Sequence, residues 1–81
     1  MNPRPIDVKP IDEYKLLVIF QNKERKIFDV SSLLDLPMYS KLKNKGFFSL
    51  AKADGMCVFW NDEIDLCPDM LYEQGVDAFS E

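Results

Sequence analysis

The chain of 81 residues contains no histidine, only three glycines and only two cysteines. Without histidine there is no imidazole base, no Ser–His or Cys–His nucleophile pair, and no ligand for most transition-metal sites. Three scattered glycines exclude a glycine-rich phosphate loop. We therefore expect no enzymatic activity, no catalytic residues, no cofactor and no metal ligands.

Long apolar runs are also missing. The longest, LLVIF at 16–20, is far shorter than the roughly 18–20 residues that cross a bilayer. The N-terminal residues lack the apolar segment of a secretory signal, and two cysteines are too few for a disulfide framework. We expect a cytoplasmic protein with reduced thiols and no membrane contact.

Basic residues are absent from the C-terminal part of the chain. Residues 1–60 contain all ten lysines and arginines and seven acids, whereas residues 61–81 contain seven acids and no base. The net charge of −4 argues against general DNA binding, which depends on lysine and arginine displacing counterions from phosphates.

Five segments have the composition and length of β-strands. They are 6–14, 15–20, 26–30, 47–53 and 56–61. Pro10 removes a backbone donor, so the first segment is expected to be an edge strand or an extended lead-in. The Asp54–Gly55 step marks a hairpin between the last two. Apolar residues on both faces of 56–61 indicate a central strand.

Two helical regions are predicted. Ser31 and Ser32 suit the cap of a turn over 31–36, and the following 38–46 forms a second short helix or a loop that Gly46 closes with a left-handed cap.

The last helix, 68–74, begins at Pro68 and ends at Gly75. Trp60 and Leu66 are expected to close the core. The sequence predicts a single α+β domain over residues 1–81, with a mostly antiparallel sheet of about five strands, two or three short helices, and the order β-β-β-α-β-β-α.

The acidic bend after Trp60 is the candidate cation site. Asn61, Glu63 and Asp65 alternate as calcium ligands do, but Leu66 occupies the position of the required glycine and Tyr72 that of the twelfth-position acid. A solvated structural turn is the favoured interpretation. Carboxylate metal binding by Asp62, Glu63 and Asp65 stays open as an alternative.

Acidic residues recur every four positions towards the C-terminus. Asp65, Asp69, Glu73 and Asp77 are candidates for a surface that binds a basic partner. The alternative is an exposed face that only keeps a small protein in solution.

Basic and aromatic residues alternate in YSKLKNKGFF at 39–48. Lys41, Lys43 and Lys45 are candidates for phosphate contacts, with the neighbouring aromatics as stacking partners. Because Phe47 and Phe48 also begin a predicted strand, at least one of them is expected in the core.

The ordered set IDVKPIDEYKLLVIF, FDVSSLL, FF and DLCPDMLY resembles the small bacterial family catalogued as domain of unknown function 2442. Two residues depart from its pattern: Asn61 stands where members often have proline, and Cys67 where they tend to have serine. The resemblance supplies no catalytic residues.

The resemblance implies the partner, antitoxin-like component of a small two-protein system. We expect a non-enzymatic interaction module that binds another small protein, encoded next to it, through the acidic surface or a sheet edge. A homodimer formed by edge-strand pairing is a further expectation. The alternative is a nucleic-acid-associated regulatory protein that uses the lysine and aromatic segment.

Overall fold

The computed structural model describes residues 2–61 and 63–78. The strands are β1 Pro5–Ile11, β2 Lys15–Phe20, β3 Arg25–Asp29, β4 Lys52–Ala53, β5 Val58–Phe59, β6 Asp65–Leu66 and β7 Val76–Asp77. The α-helices are α1 Lys45–Phe48 and α2 Pro68–Gln74, and 3₁₀ helices span Ser31–Leu33 and Pro37–Lys43.

Antiparallel pairing joins the strands into two sheets. The larger has the order β1-β2-β3-β7 and the smaller the order β4-β5-β6. The predicted α+β class with antiparallel pairing is confirmed, as are the hairpin of β2 and β3 and the central position of β5, although the strands form two sheets where one of about five strands was predicted. The short strands β6 and β7 add to the five that were predicted.

The larger sheet separates an inner and an outer face because side chains alternate along each strand. On β2, Leu16, Val18 and Phe20 are fully buried, whereas Leu17 and Ile19 between them are half-buried. Phe28 on β3 is buried beside Leu16. The inner face therefore supplies much of the core, and the outer face does not.

Strand β1 is an edge strand, as predicted. It pairs with β2 along one side and lies near β4. Pro5 and Pro10 lack the backbone N–H that a further strand would use, and the register shifts between Pro5 and Asp7. Prolines and register shifts oppose the addition of another strand. Homodimerisation through this edge stays a prediction.

The segment 47–50 is not a strand, so that part of the prediction for 47–53 is wrong. Asn44 caps α1 by accepting a hydrogen bond from Phe47 N at 2.9 Å, which favours a helical turn over an extended chain. Phe48 is buried and Phe47 half-buried, as expected for at least one of them. Only Lys52–Ala53 extends into a strand.

Two predicted caps are also wrong. Gly46 lies inside α1, and Gly55 is the one glycine with positive φ among the described residues. Ser31 and Ser32 do not cap their helix, because Val30 occupies the N-cap position and no side chain makes a capping bond there. Asp29 Oδ1 instead accepts hydrogen bonds from Ser31 N at 2.9 Å and from Ser31 Oγ at 2.6 Å. A carboxylate is as good an acceptor for these free N–H groups as a serine hydroxyl.

The buried side chains form one cluster that draws on both sheets and on the helices. Its members are Val8, Leu16, Val18, Phe20, Phe28, Val30, Leu34, Leu42, Phe48, Val58, Trp60, Ile64, Leu66 and Leu71. In the described part of the chain, no helix has the length and apolar character that crossing a bilayer requires.

Candidate functional site

The acidic bend is held closed by hydrogen bonds between the Asn61 side chain and backbone N–H groups within the bend. Asn61 Oδ1 accepts hydrogen bonds from Glu63 N and from Ile64 N, both at 2.9 Å. Ile64 turns inward and is only 3% exposed, whereas Glu63 and Asp65 point to solvent. Asp62 lies outside the described residues. The Asn61 side-chain oxygen, one of the candidate cation ligands, is thus engaged in holding the turn.

No group of three histidine, cysteine, aspartate or glutamate side chains comes together within ranges 2–61 and 63–78. The described residues of the bend do not bring together the several oxygens that a calcium ion requires around it. Metal binding by Asp62, Glu63 and Asp65 stays a prediction without support from the described geometry.

Trp60 holds the start of this bend in the core. Its ring is 6% exposed and lies 6.0 Å from the ring of Phe48, between centroids. Its Nε1 donates a buried hydrogen bond of 2.9 Å to Phe48 O. Leu66 is fully buried and pairs with Val58 in the smaller sheet. The tryptophan beside the carboxylates is thus a packing residue.

The acidic residues at intervals of four do not form one stripe. Asp69 and Glu73 lie one turn apart on α2, and both are exposed. Asn2 Nδ2 donates to both of them, at 3.3 Å to Asp69 Oδ1 and 3.0 Å to Glu73 Oε2. Asp65 precedes the helix, on β6. We call Asp69 and Glu73 the acidic helix face.

Asp77, the last of the predicted surface residues, lies on β7 and belongs to a separate polar cluster. Its Oδ1 is 3.0 Å from Lys26 Nζ, which lies 4.7 Å from the centre of the Tyr72 ring. Tyr72 in turn donates a short hydrogen bond to Glu24. The cluster joins β3, α2 and β7.

The charges in this cluster support one another. The hydrogen bond from Tyr72 lowers the pKa of Glu24, and the same bond raises the pKa of Tyr72. Asp77 raises the pKa of Lys26. Sequence reasoning missed these contacts because they join residues 48 and 51 positions apart, and no local pattern reports such a separation.

The three lysines of the basic and aromatic segment are exposed, and they line two different hollows. Lys41 and Lys43 line a shallow depression together with Phe47. Lys45, at the start of α1, lines a different hollow that also contains Asp12 and Glu13. The expected phosphate-contact segment is therefore reduced to Lys41 and Lys43, with Lys45 near opposite charges.

The sequence of these elements matches a known family over nearly its whole length. The model of the family described as "Protein of unknown function (DUF2442)" matches residues 5–77. The chain belongs to this family. The matched range runs from β1 to β7 and includes both sheets and α2, and the resemblance seen in the sequence is confirmed.

No curated protein and no solved structure gives a match. Because DUF2442 is described only as a protein of unknown function, membership supplies no ligand, no reaction and no site residues. Any functional conclusion must come from the surface of the chain itself.

The lowered pKa values of two exposed aspartates, Asp29 and Asp54, lead us to expect a loss of stability in acid. Bonds from Ser31 hold the pKa of Asp29 below its usual 3.8, and bonds from Cys57 N and Met56 N do the same for Asp54. Because these pKa values are lower in the folded chain, the stabilisation is present above about pH 4 and is lost as the pH falls through the folded values.

We expect the urea midpoint to fall between about pH 5 and pH 2, and Asp54→Asn to flatten part of that decline. Asparagine keeps the side-chain oxygen that accepts from Met56 and Cys57 but does not titrate. Denaturation curves at several pH values measure this. An identical pH profile in the variant would contradict it.

Proposed function

We propose that the chain is a non-enzymatic protein-interaction module, the partner (antitoxin-like) component of a small two-protein system. The observation that carries this proposal is the acidic helix face. Asp69 and Glu73 are two exposed carboxylates on one side of a short helix, with a neutral amide, Asn2, between them.

Like charges one turn apart repel and destabilise a helix by a few tenths of a kcal/mol. Among the described residues the ion pairs are Lys15–Glu13 and Lys26–Asp77, so neither carboxylate of the acidic helix face is matched by a described lysine or arginine. A basic partner would offset this repulsion and be drawn in by the acid-rich C-terminal part of the chain.

The composition supports binding over catalysis. The chain contains no histidine, and no three histidine, cysteine, aspartate or glutamate side chains come together within the described residues. Cys57 and Cys67 are both free thiols, which suits a cytoplasmic location. These features fit a protein that presents a surface to another chain.

A second candidate function is association with nucleic acid, favoured by the depression that Lys41 and Lys43 share with Phe47. Two cations beside an aromatic ring can hold a phosphate and a stacked base. The depression is shallow, and Lys45 does not line it.

The test is affinity capture from the native host, with bound proteins identified by mass, followed by titration of the purified partner. We expect a small protein to bind at micromolar concentration, and the double variant Asp69→Asn/Glu73→Gln to weaken binding about tenfold or more, because two charges facing the partner are lost.

The matched control is Asp12→Asn/Glu13→Gln, which removes the same charge from the exposed turn between β1 and β2. Equal affinities of the two double variants, or no protein bound at micromolar concentration, would overturn the proposal. A captured nucleic acid whose binding falls steeply with salt and needs Lys41 and Lys43 would instead support the second candidate.

A further inference from the structure

The outer face of the larger sheet forms an apolar band bordered by charges. Residues paired across an antiparallel ladder share a face, so the register defines three rows across β1, β2, β3 and β7. The rows are Ile11–Lys15–Asp29, Lys9–Leu17–Ile27–Val76 and Asp7–Ile19–Arg25.

None of these ten residues is buried: six are exposed and four half-buried. Val76 is 68% exposed and Ile11 39%. A hollow of about 370 Å³ opens on this face, lined by Lys15, Ile27, Asp29, Gln74 and Val76. An apolar row with a hollow beside it is the kind of surface that proteins use for association.

The geometry points to a second copy of this chain as the occupant of the outer face. A two-fold axis parallel to the strands, between β2 and β3, would stack β2 of each copy on β3 of the other. Lys15 would then face Asp29 of the second copy, and Leu17 would face Ile27 of the second copy beside the hollow. Each contact occurs twice because the axis repeats it.

The charges of the face favour this arrangement. They are mixed, with Lys9, Lys15 and Arg25 against Asp7 and Asp29, so a partner of a single charge sign would meet repulsion as well as attraction. A two-fold axis running across the strands would instead set Lys9 against Lys9 of the second copy. Only the axis along the strands pairs each Lys15 with an acid.

The area of the outer face indicates how tightly two copies would bind. Four strands at about 4.8 Å spacing and three rows about 7 Å apart bury on the order of 1,000 Å² in total between two copies. That is the low end for specific interfaces. The expected dimer is weak, with a dissociation constant in the micromolar range, and is separate from any partner on the acidic helix face.

The test uses charge reversal between chains, followed by sedimentation equilibrium. Lys15→Asp and Asp29→Lys should each raise the dissociation constant of the dimer about tenfold or more, because each substitution places two like-charge contacts between the two copies. An equimolar mixture of the two variants should dimerise as the wild type does, since both contacts become attractive between unlike chains. Repulsion within one chain would persist in the mixture, so it cannot explain a recovery.

Asp29 also holds Ser31, so a second pair of variants avoids that turn. Val76→Lys should weaken the dimer because Val76 faces Lys9 of the second copy, and mixing it with Lys9→Glu should restore it. Both positions are exposed, so the fold should tolerate these substitutions. A wild type that stays monomeric up to about 1 mM, mass growth beyond a dimer, or mixtures no stronger than their components would overturn the inference.

Discussion

Replacing Trp60 with alanine should lower the free energy of unfolding by about 3–5 kcal/mol. The ring is almost fully buried and packs near Phe48, and its removal leaves a cavity and takes one of two hydrogen-bond donors from Phe48 O. A chain of this size has a stability on the order of 5 kcal/mol. The variant should therefore keep only about 0–2 kcal/mol, so that from a few per cent to about half of its molecules are unfolded at room temperature.

Trp60→Phe separates the hydrogen bond from the packing. Phenylalanine keeps an aromatic ring but removes the bond to Phe48 O, which then keeps only the longer bond from Ala51 N at 3.3 Å, at a cost of about 0.5–1.5 kcal/mol for one hydrogen bond. Urea denaturation followed by circular dichroism measures both variants. Met56→Ala, at an exposed position just before β5, is the control and should change stability by less than about 0.5 kcal/mol.

A result in which Trp60→Phe matches the wild type would show that the bond to Phe48 contributes nothing to stability. A result in which Trp60→Ala costs no more than Met56→Ala would contradict the buried position of the ring.

Gly75→Ala should cost about 1–3 kcal/mol through overpacking. A Cβ at this position would lie 2.6 Å from Leu71 O and 3.0 Å from Lys26 Cβ. The first is backbone, and the second is the fixed base of its side chain, so neither moves easily. The φ of Gly75 is −69°, which any residue adopts; the conflict is one of space.

To relieve it, the chain after α2 must move away from β3, which should loosen β7. Hydrogen exchange checks this at Ala78 N, which donates to Arg25 O at 2.9 Å. Exchange should accelerate in Gly75→Ala. The control Gly55→Ala carries a conformational penalty at φ 85° with open space around the Cβ, and should leave Ala78 protected. Equal exchange at Ala78 in both variants would count against the close approach of α2 and β3.

The strongest local patterns were predicted correctly from the sequence. The composition and length of 15–20 and the alternation in 26–30 indicated the hairpin of β2 and β3, and the proline and glycine around 68–75 indicated α2. These signals succeed because burial follows the period of each element. Asp54–Gly55 likewise marked the turn before β5, where Gly55 adopts a positive φ.

The remaining elements depend on contacts that are distant in sequence. β6 and β7 have two residues each, too few to show a period, and they exist because β5 and β3 offer partners. Phe47 and Phe48 resembled a strand because large aromatic residues favour strands, but the Asn44 cap decided otherwise. At the candidate site, the separation of Asp77 from Asp69 and Glu73 followed from its pairing with Lys26, which no spacing rule reports.

The prolines and the register shift of β1 affect how far any self-association can extend. Pairing along an open sheet edge can repeat without limit and ends in fibres, whereas two copies joined face to face about a two-fold axis use up the surface that joined them. Because Pro5 and Pro10 deny β1 a full set of backbone donors, this edge resists templated growth. We therefore expect the N-terminal strand to be a poor template for amyloid-like polymerisation.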